Sequence, residues 1–536
     1  MPTNSRNTWP GPRAEIGDNS GVLTSTMRES TYFFKKNLYY LIGQLLFSLR
    51  PTPMMAPTDS FGGDLEPFTV QQLSRMDAVF LSMETPETPA HIGGLAILDP
   101  STAPDGFDFE QFVEFLESRI EVCPRFMWTI QQVPFGMDRP YWVEGEHRSA
   151  REQVHRVAVP SPGGREELAG LVGFLFERPL DRTLPLWEMF FIEGLQGGRA
   201  AVLWKVHHCL LDGRSGAGIA EIMFDLSPQP ADRPLIGPKD EAQAGQPASW
   251  SELTRSAFRN GMDLPAASLR HVGKAVGMAI DGHFGPLTEL SSTLAPKTSF
   301  NGRVGAKRTI AWSTASLADA KAAKETLGVK LNDVILGITA EAIRGYLIGR
   351  DELPDQSLLA GVPVSTRQSG DQTPGNQITS VNVYWGTDLD DPIERIHAIH
   401  AAADEAKQNV EAHRNLDPMA ILADAFLPGA LQLFARGAAA ATDSMPLPSN
   451  AVVSNVPMTP VPLYIAGARV AEAVPISLLA PTQGLNITVI SYNGHLHFGI
   501  TADPNLVPEP GSIAEAIPKA LIDLQSALQK SEHIDL

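Results

Sequence analysis

Cysteine is scarce in this chain. Cys123 and Cys209 are the only two among 536 residues. They cannot build a disulfide framework or a cysteine-based zinc site, and their scarcity suits a reducing, cytoplasmic setting. Basic charge is also short, with 42 Lys plus Arg against 61 Asp plus Glu and a net charge of −19. That balance argues against a nucleic-acid partner. No apolar run reaches the roughly 20 residues of a membrane-spanning helix. HExxH and Walker A patterns are missing, which removes support for zinc-protease and P-loop chemistry. The sequence GRSGA, from Gly213 to Ala217, lacks the last glycine of a serine elbow. What remains is ordinary globular composition, 43% hydrophobic and 19% charged, which excludes fibrous and wholly disordered classes.

The nearest approach to a long apolar run is Leu38 to Leu49, preceded by Lys35 and Lys36 and followed by Arg50. Tyr32, Phe33, Phe34, Tyr39 and Tyr40 crowd its front edge. Basic flanks with interfacial aromatics suit a helix lying in a membrane surface, and a buried N-terminal helix is the plainer alternative. Residues 1–56 carry six Lys/Arg and three Asp/Glu, so the acidic average hides a locally basic arm.

Ordered structure is expected from about Leu73. Helical spacing marks LSRMDAVFLSME, Phe109 to Arg119 and Leu168 to Phe176, and strand patterns mark Gly93 to Leu98, Phe190 to Ile192 and Ala200 to Val206. Five prolines between Ser227 and Ser249 break regular structure there. A helix is expected from Trp250 to about Ile280. Beyond it, strands are expected at Thr309 to Trp312, Leu358 to Val364, Ile378 to Trp385 and Ala451 to Val453. Helices are expected at Leu317 to Leu327, Asn332 to Tyr346 and Ile393 to Val410. ITVISY, Asn493-Gly494 and HLHFGI read as a tight hairpin.

The segment with chemistry in it is WKVHHCLLDGRSGAGIA, Trp204 to Ala220. His207 and His208 follow a strand-like run, and Asp212-Gly213 comes four residues after the second histidine. An imidazole delivered from a strand end is a good general base, because its ordinary pKa of about 6.5 lets it take and return a proton near neutrality. Asp212 could orient the loop, and Gly213 would permit a sharp turn. A lone histidine pair is more often structural than catalytic. As a metal site it lacks an obvious third ligand, so no metal is expected. The HHxxxDG spacing is what favours catalysis, and the lack of a good nucleophile favours direct transfer.

HHCLLDG resembles the HHxxxDG motif of the CoA-dependent acyltransferase superfamily. From Leu73 to Asp503 the chain resembles the bacterial wax ester synthase/acyl-CoA:diacylglycerol acyltransferase family. The blocks that carry the likeness are LSRMDAVFLSMETPETPAHIGGLAIL, RPYWVE at Arg139 to Glu144, PLDRTLPLWEM with Pro185, Leu186 and Trp187, and APKTSFNG at Ala295 to Gly302. LNDVIL with Asn332-Asp333, PGNQIT with Gly375-Asn376, and SNVP at Ser454 to Pro457 complete them. Met458-Thr459 stand where the family usually has Gly-Pro, which puts the local turn in doubt.

The resemblance implies an α/β fold of two chloramphenicol-acetyltransferase-like mixed halves with a central substrate channel. Residues 1–56 would then be an extension, 57–226 the first half, 227–308 an interdomain crossing and 309–536 the second half. It implies esterification of diacylglycerol or a fatty alcohol by a long-chain acyl-CoA, with acyl-CoA as substrate and no cofactor. His208 would be the general base, Asp212 and Gly213 would shape the loop, and His207 would be secondary. Asn332 would stand near the reacting carbonyl, or else cap the helix that begins at Asp333. Pro185, Leu186 and Trp187 would line the acyl channel or pack the core. Gly375, Asn376, Ser454 and Asn455 would order loops beside the channel or make simple turns. The expected location is the cytoplasm, attached to the inner membrane face or to lipid inclusions. A condensation-type enzyme using carrier-protein thioesters and a non-catalytic lipid-surface protein are the competing readings.

Overall fold

A computed structural model describes residues 71–120, 124–144, 149–210, 222–229, 248–259, 294–365, 378–412, 427–440, 447 and 449–534. The N-terminal arm, Asp212, Gly213, Gly375 and Asn376 lie outside these residues. So does most of the helix expected from Trp250 to Ile280.

The first half of the chain forms α1 (Arg75–Met83), β1 (His91–Asp99), α2 (Phe109–Ile120), β2 (Trp128–Gln131), β3 (Tyr141–Glu144), β4 (Val154–Ala158), α3 (Arg165–Phe176), β5 (Trp187–Glu193) and β6 (Ala200–His207). A helix over residues 250–259, α4, follows. The second half forms β7 (Thr309–Ser316), α5 (Leu317–Leu327), α6 (Leu331–Ile348), β8 (Leu359–Ser365), β9 (Ile378–Tyr384), α7 (Pro392–Ala412) and α8 (Pro428–Ala440). It ends with β10 (Ala451–Pro457), β11 (Tyr464–Ile465), β12 (Ala468–Ile476), β13 (Leu485–Tyr492), β14 (His495–Ala502) and α9 (Pro510–Ile534). Local chemistry sets several boundaries. The Ser74 hydroxyl accepts the Asp77 amide to cap α1, Ser316 caps α5 in the same way, and Gly328 ends α5 at φ 67°. Such hydroxyl caps are worth about 1 kcal/mol each. Asn493 and Gly494 take φ of 46° and 80°, the two left-handed residues that a two-residue hairpin turn demands.

Among the described residues, two six-stranded sheets carry the fold. The first runs β11-β12-β1-β6-β5-β4 and the second β7-β14-β13-β10-β8-β9. Chain order and sheet membership therefore part company. β11 and β12 come from the 309–536 segment yet extend the first sheet, with β12 antiparallel to β1 through pairs such as Gly93–Ile476 and Ala96–Ala473. Residues 464–476 thus belong with the first half, contrary to a division of the chain near residue 308. The crossing brings β12 against β14, where a Cβ on Gly499 would lie 1.7 Å from the Pro475 carbonyl oxygen. Only glycine allows that approach. One apolar core lies under the second sheet, built from α6, α9 and the sheet face. Two more flank the first sheet.

Candidate active site

β6 ends at the histidine pair, and neighbouring backbone holds it there. The His207 amide donates to the Leu186 carbonyl and the His208 amide to the Ala90 carbonyl, each at 2.9 Å. Leu186 and Trp187 are fully enclosed in the core. The Trp187 indole donates to the Phe126 carbonyl at 2.7 Å, and the Pro185 carbonyl accepts from Gln153 at 3.1 Å. The structure thus places Pro185, Leu186 and Trp187 where they pack and hold the strand end.

The His208 ring stacks on Phe80 of α1, with centroids 3.9 Å apart and planes 18° apart. Burial, and then the positive charge His207 can carry, lower its pKa from 6.5 to about 4. The ring is therefore neutral across the physiological range, the form of an imidazole that can take up a proton. His207 is buried. Its Nδ1 accepts the Cys209 amide at 3.1 Å, so in the neutral ring the proton sits on Nε2. Nε2 stands 3.6 Å from Glu84 Oε2, an electrostatic contact longer than a hydrogen bond.

Glu84 in turn is held on both oxygens. Oε1 accepts the Ala90 amide at 3.1 Å. Oε2 accepts from Arg182 Nε at 3.0 Å and also from its Nη2. Burial raises its pKa, but His207 and Arg182 outweigh burial and leave it at about 2. A closed circuit results: Arg182 fixes Glu84, Glu84 fixes Ala90 and faces His207, and Ala90 fixes His208. Glu84, Arg182 and Phe80 lie inside two of the blocks quoted above, and sequence reasoning gave them no role. No local pattern marked them: Glu84 stands next to Thr85, and Arg182 between Asp181 and Thr183.

The other buried groups around the pair are structural. Lys205 Nζ is enclosed and donates to the Leu175 and Arg178 carbonyls at 3.1 and 2.7 Å, closing the end of α3. His91, cross-strand from His207, contacts the Phe176 carbonyl at 2.7 Å through Nε2, and burial lowers its pKa to about 3. Cys209 is fully buried. Burial also pushes its thiol pKa well above the ordinary value, so it is a poor nucleophile. Among the described residues, no group of His, Cys, Asp or Glu is arranged to hold a metal ion.

A second cluster forms in the other half. Asn332 is the second residue of α6, and the helix begins earlier than the sequence suggested, at Leu331 with Lys330 in the cap position. Asn332 is therefore inside the helix instead of capping it. The carboxylate that serves the cap is Asp333, whose Oδ2 accepts the Lys330 amide at 2.9 Å and lies 2.6 Å from His400 Nδ1 of α7. The Asn332 side chain accepts from Asn455 Nδ2 at 3.4 Å. Ser454 and Asn455 lie within β10, in a strand instead of a turn, because β10 runs parallel beside β13 as far as Pro457–Ser491. The fold thus brings together the ND and SNVP segments, which are more than 100 residues apart in sequence.

The chain matches the wax ester synthase/diacylglycerol acyltransferase catalytic domain over residues 73–335 and the WS/DGAT C-terminal domain over residues 374–525. A Mycobacterium tuberculosis H37Rv protein with a provisional diacylglycerol O-acyltransferase name is 35% identical over 465 residues, covering 85% of this chain and 90% of that one. The probable diacylglycerol O-acyltransferase tgs2 of the same strain is 34% identical over 84% of this chain and 98% of its own. Among solved structures, the wax ester synthase/diacylglycerol acyltransferase from Marinobacter aquaeolei VT8 superposes with a TM-score of 0.63 at 27% identity, covering 86% of this chain and all of that one.

Proposed function

This chain belongs to the wax ester synthase/diacylglycerol acyltransferase family, and we propose that it esterifies diacylglycerol or a fatty alcohol by direct transfer from a long-chain acyl-CoA, with His208 as general base. The observation that carries the mechanism is the neutral His208 imidazole, fixed at the end of β6 by the Ala90 carbonyl and the Phe80 ring. His208 Nε2 or Nδ1 takes the acceptor hydroxyl proton as its oxygen attacks the thioester carbonyl. The imidazolium then returns the proton to the departing thiolate of CoA. Such acid–base help is typically worth about 10²–10⁴-fold. No acyl-enzyme is needed, and the enclosed Cys209 offers none.

The Asn332–Asn455 pair supports a second element of the reading. An amide N–H of Asn332 faces the developing oxyanion, while its carbonyl oxygen is held by Asn455. The substrates meet in a channel between the halves, and no cofactor takes part.

The enzyme works at a lipid surface on the cytoplasmic side, a membrane face or a lipid inclusion, because its acceptors and product are water-insoluble. No helix among the described residues is long and apolar enough to cross a membrane, and the basic, aromatic arm of residues 1–56 supports attachment. The test is CoA release from palmitoyl-CoA with hexadecanol or dipalmitoylglycerol, beside an acyl-carrier-protein thioester as alternative donor. Release with acyl-CoA and either lipid acceptor is expected. Turnover with the carrier-protein donor alone would replace this reading with a condensation-type one.

A further inference from the structure

We propose that the exposed aromatic edge of α4, together with Phe135, is a docking patch for a bilayer containing anionic lipid. The inference rests on the reading that the acceptor is drawn from a lipid surface, and it locates one contact outside the N-terminal arm. α4 buries Leu253 and Ala257 against Val133 and Tyr141. Positions of such a surface helix that stay in solvent are ordinarily polar. Here Trp250 and Phe258 are 69% and 75% exposed, and Phe135 is 85% exposed. Trp250 and Phe258 stand at the i and i+8 positions of the stripe that carries Leu253 and Ala257, at its solvent-exposed edge, where they border one shallow cleft with Arg255 and Arg259. The Trp250 and Phe135 rings meet edge to face at 6.2 Å, and Phe258 lines the same cleft as Trp250.

Phe135 adds an independent observation. Its backbone is held at φ 57° and ψ 14°, a conformation that bulky residues rarely adopt. Gly136 fixes it by packing on Gly429, where a Cβ would come within 2.6 Å of the Gly429 nitrogen. Backbone strain is kept here to hold an aromatic ring in solvent, which points to use of that ring. Charge identifies the occupant. Arg255 and Arg259 are exposed, and the single carboxylate of α4, Glu252, is tied to the Ser249 amide and hydroxyl. On a chain of net charge −19, a face of arginines around a tryptophan complements anionic headgroups over an acyl layer.

The test is flotation of the full chain with phosphatidylcholine vesicles made with and without phosphatidylglycerol. The triple variant F135N/W250S/F258S, in which asparagine suits the left-handed backbone, should lose at least about tenfold in partitioning. R255Q/R259Q should lose the preference for phosphatidylglycerol. As a check independent of folding, brominated lipids should quench wild-type fluorescence more than that of Trp250→Phe. Transfer to a dispersed short-chain alcohol should be unchanged in the triple variant while transfer to vesicle-borne diacylglycerol falls. Unchanged flotation of the triple variant would overturn the patch, and if wild type self-associates and the variant does not, the face belongs to a second copy instead. If wild type esterifies neither acceptor, the acyl-transfer reading fails, and flotation still decides the patch.

Discussion

At the end of β6, His207 and His208 sit among ionised groups: Glu84 with its side chain 5% exposed, Arg182 beside it, and Lys205 fully enclosed. At the start of α6, Asn332 rises from an aliphatic core, with one buried carboxylate, Asp333, beneath it. The first arrangement suits a group that must change charge during a reaction. A fixed carboxylate facing His207 and two backbone clamps hold the imidazoles while burial keeps His208 neutral. The second suits a group that must stay still and uncharged, since a neutral amide is held by one hydrogen bond from Asn455 of β10.

The comparison can be broken at its structural base first. Arg119 and Asp225 form a buried two-point ion pair at 3.0 and 2.9 Å, and the Asp225 backbone bridges to Tyr464 of β11. Removing one partner of a buried pair costs about 3–5 kcal/mol. Asp225→Leu should therefore lose that much in denaturant unfolding and loosen the join between the first sheet and its borrowed strands.

Next comes the charge circuit. Glu84→Gln keeps the shape and the Ala90 contact but removes the charge, and should cost about 10–100-fold in kcat/KM, roughly 1.4–2.8 kcal/mol. Arg182→Met should fall in the same range. Rates near wild type in both would show that the circuit merely packs. In the other cluster, Asn455→Ala should cost less, about three- to tenfold in kcat with acyl-CoA KM unchanged, since it only orients Asn332.

The smallest effects within the working pH range are in pH dependence. His208 titrates near 4, so the acid limb of kcat/KM should fall well below 6.5, and the rate should be flat through neutrality. His91 is lowered to about 3 and His497 to about 4. The unfolded chain therefore binds more protons than the folded one between about 6.5 and those values. Stability should hold above pH 7 and decline as pH falls through that window, as thermal unfolding across pH would show.

Much of the fold was legible because its signals were local. Leu317–Leu327 is helical over the expected residues, and the Asn493-Gly494 turn joins β13 to β14. β12 went unread because Glu472 and Pro475 interrupt its alternation and its main partner, β1, lies hundreds of residues away. α9 went unread although Ile513, Ile517, Leu521, Leu524 and Leu528 all face the core, since Pro518 stands inside it. In the site, the HHxxxDG spacing announced His208. Glu84 and Arg182 did not announce themselves, because their role exists only after α1 and the 181–187 segment fold against the end of β6.

The most direct test of the account compares purified wild type with His208→Ala, using radiolabelled palmitoyl-CoA with dipalmitoylglycerol and with hexadecanol, the products being resolved by thin-layer chromatography. The account predicts labelled neutral lipid from wild type and a loss of about 10²–10⁴-fold in the variant, with unfolding midpoints alike. Neutral lipid formed by His208→Ala at the wild-type rate would contradict it.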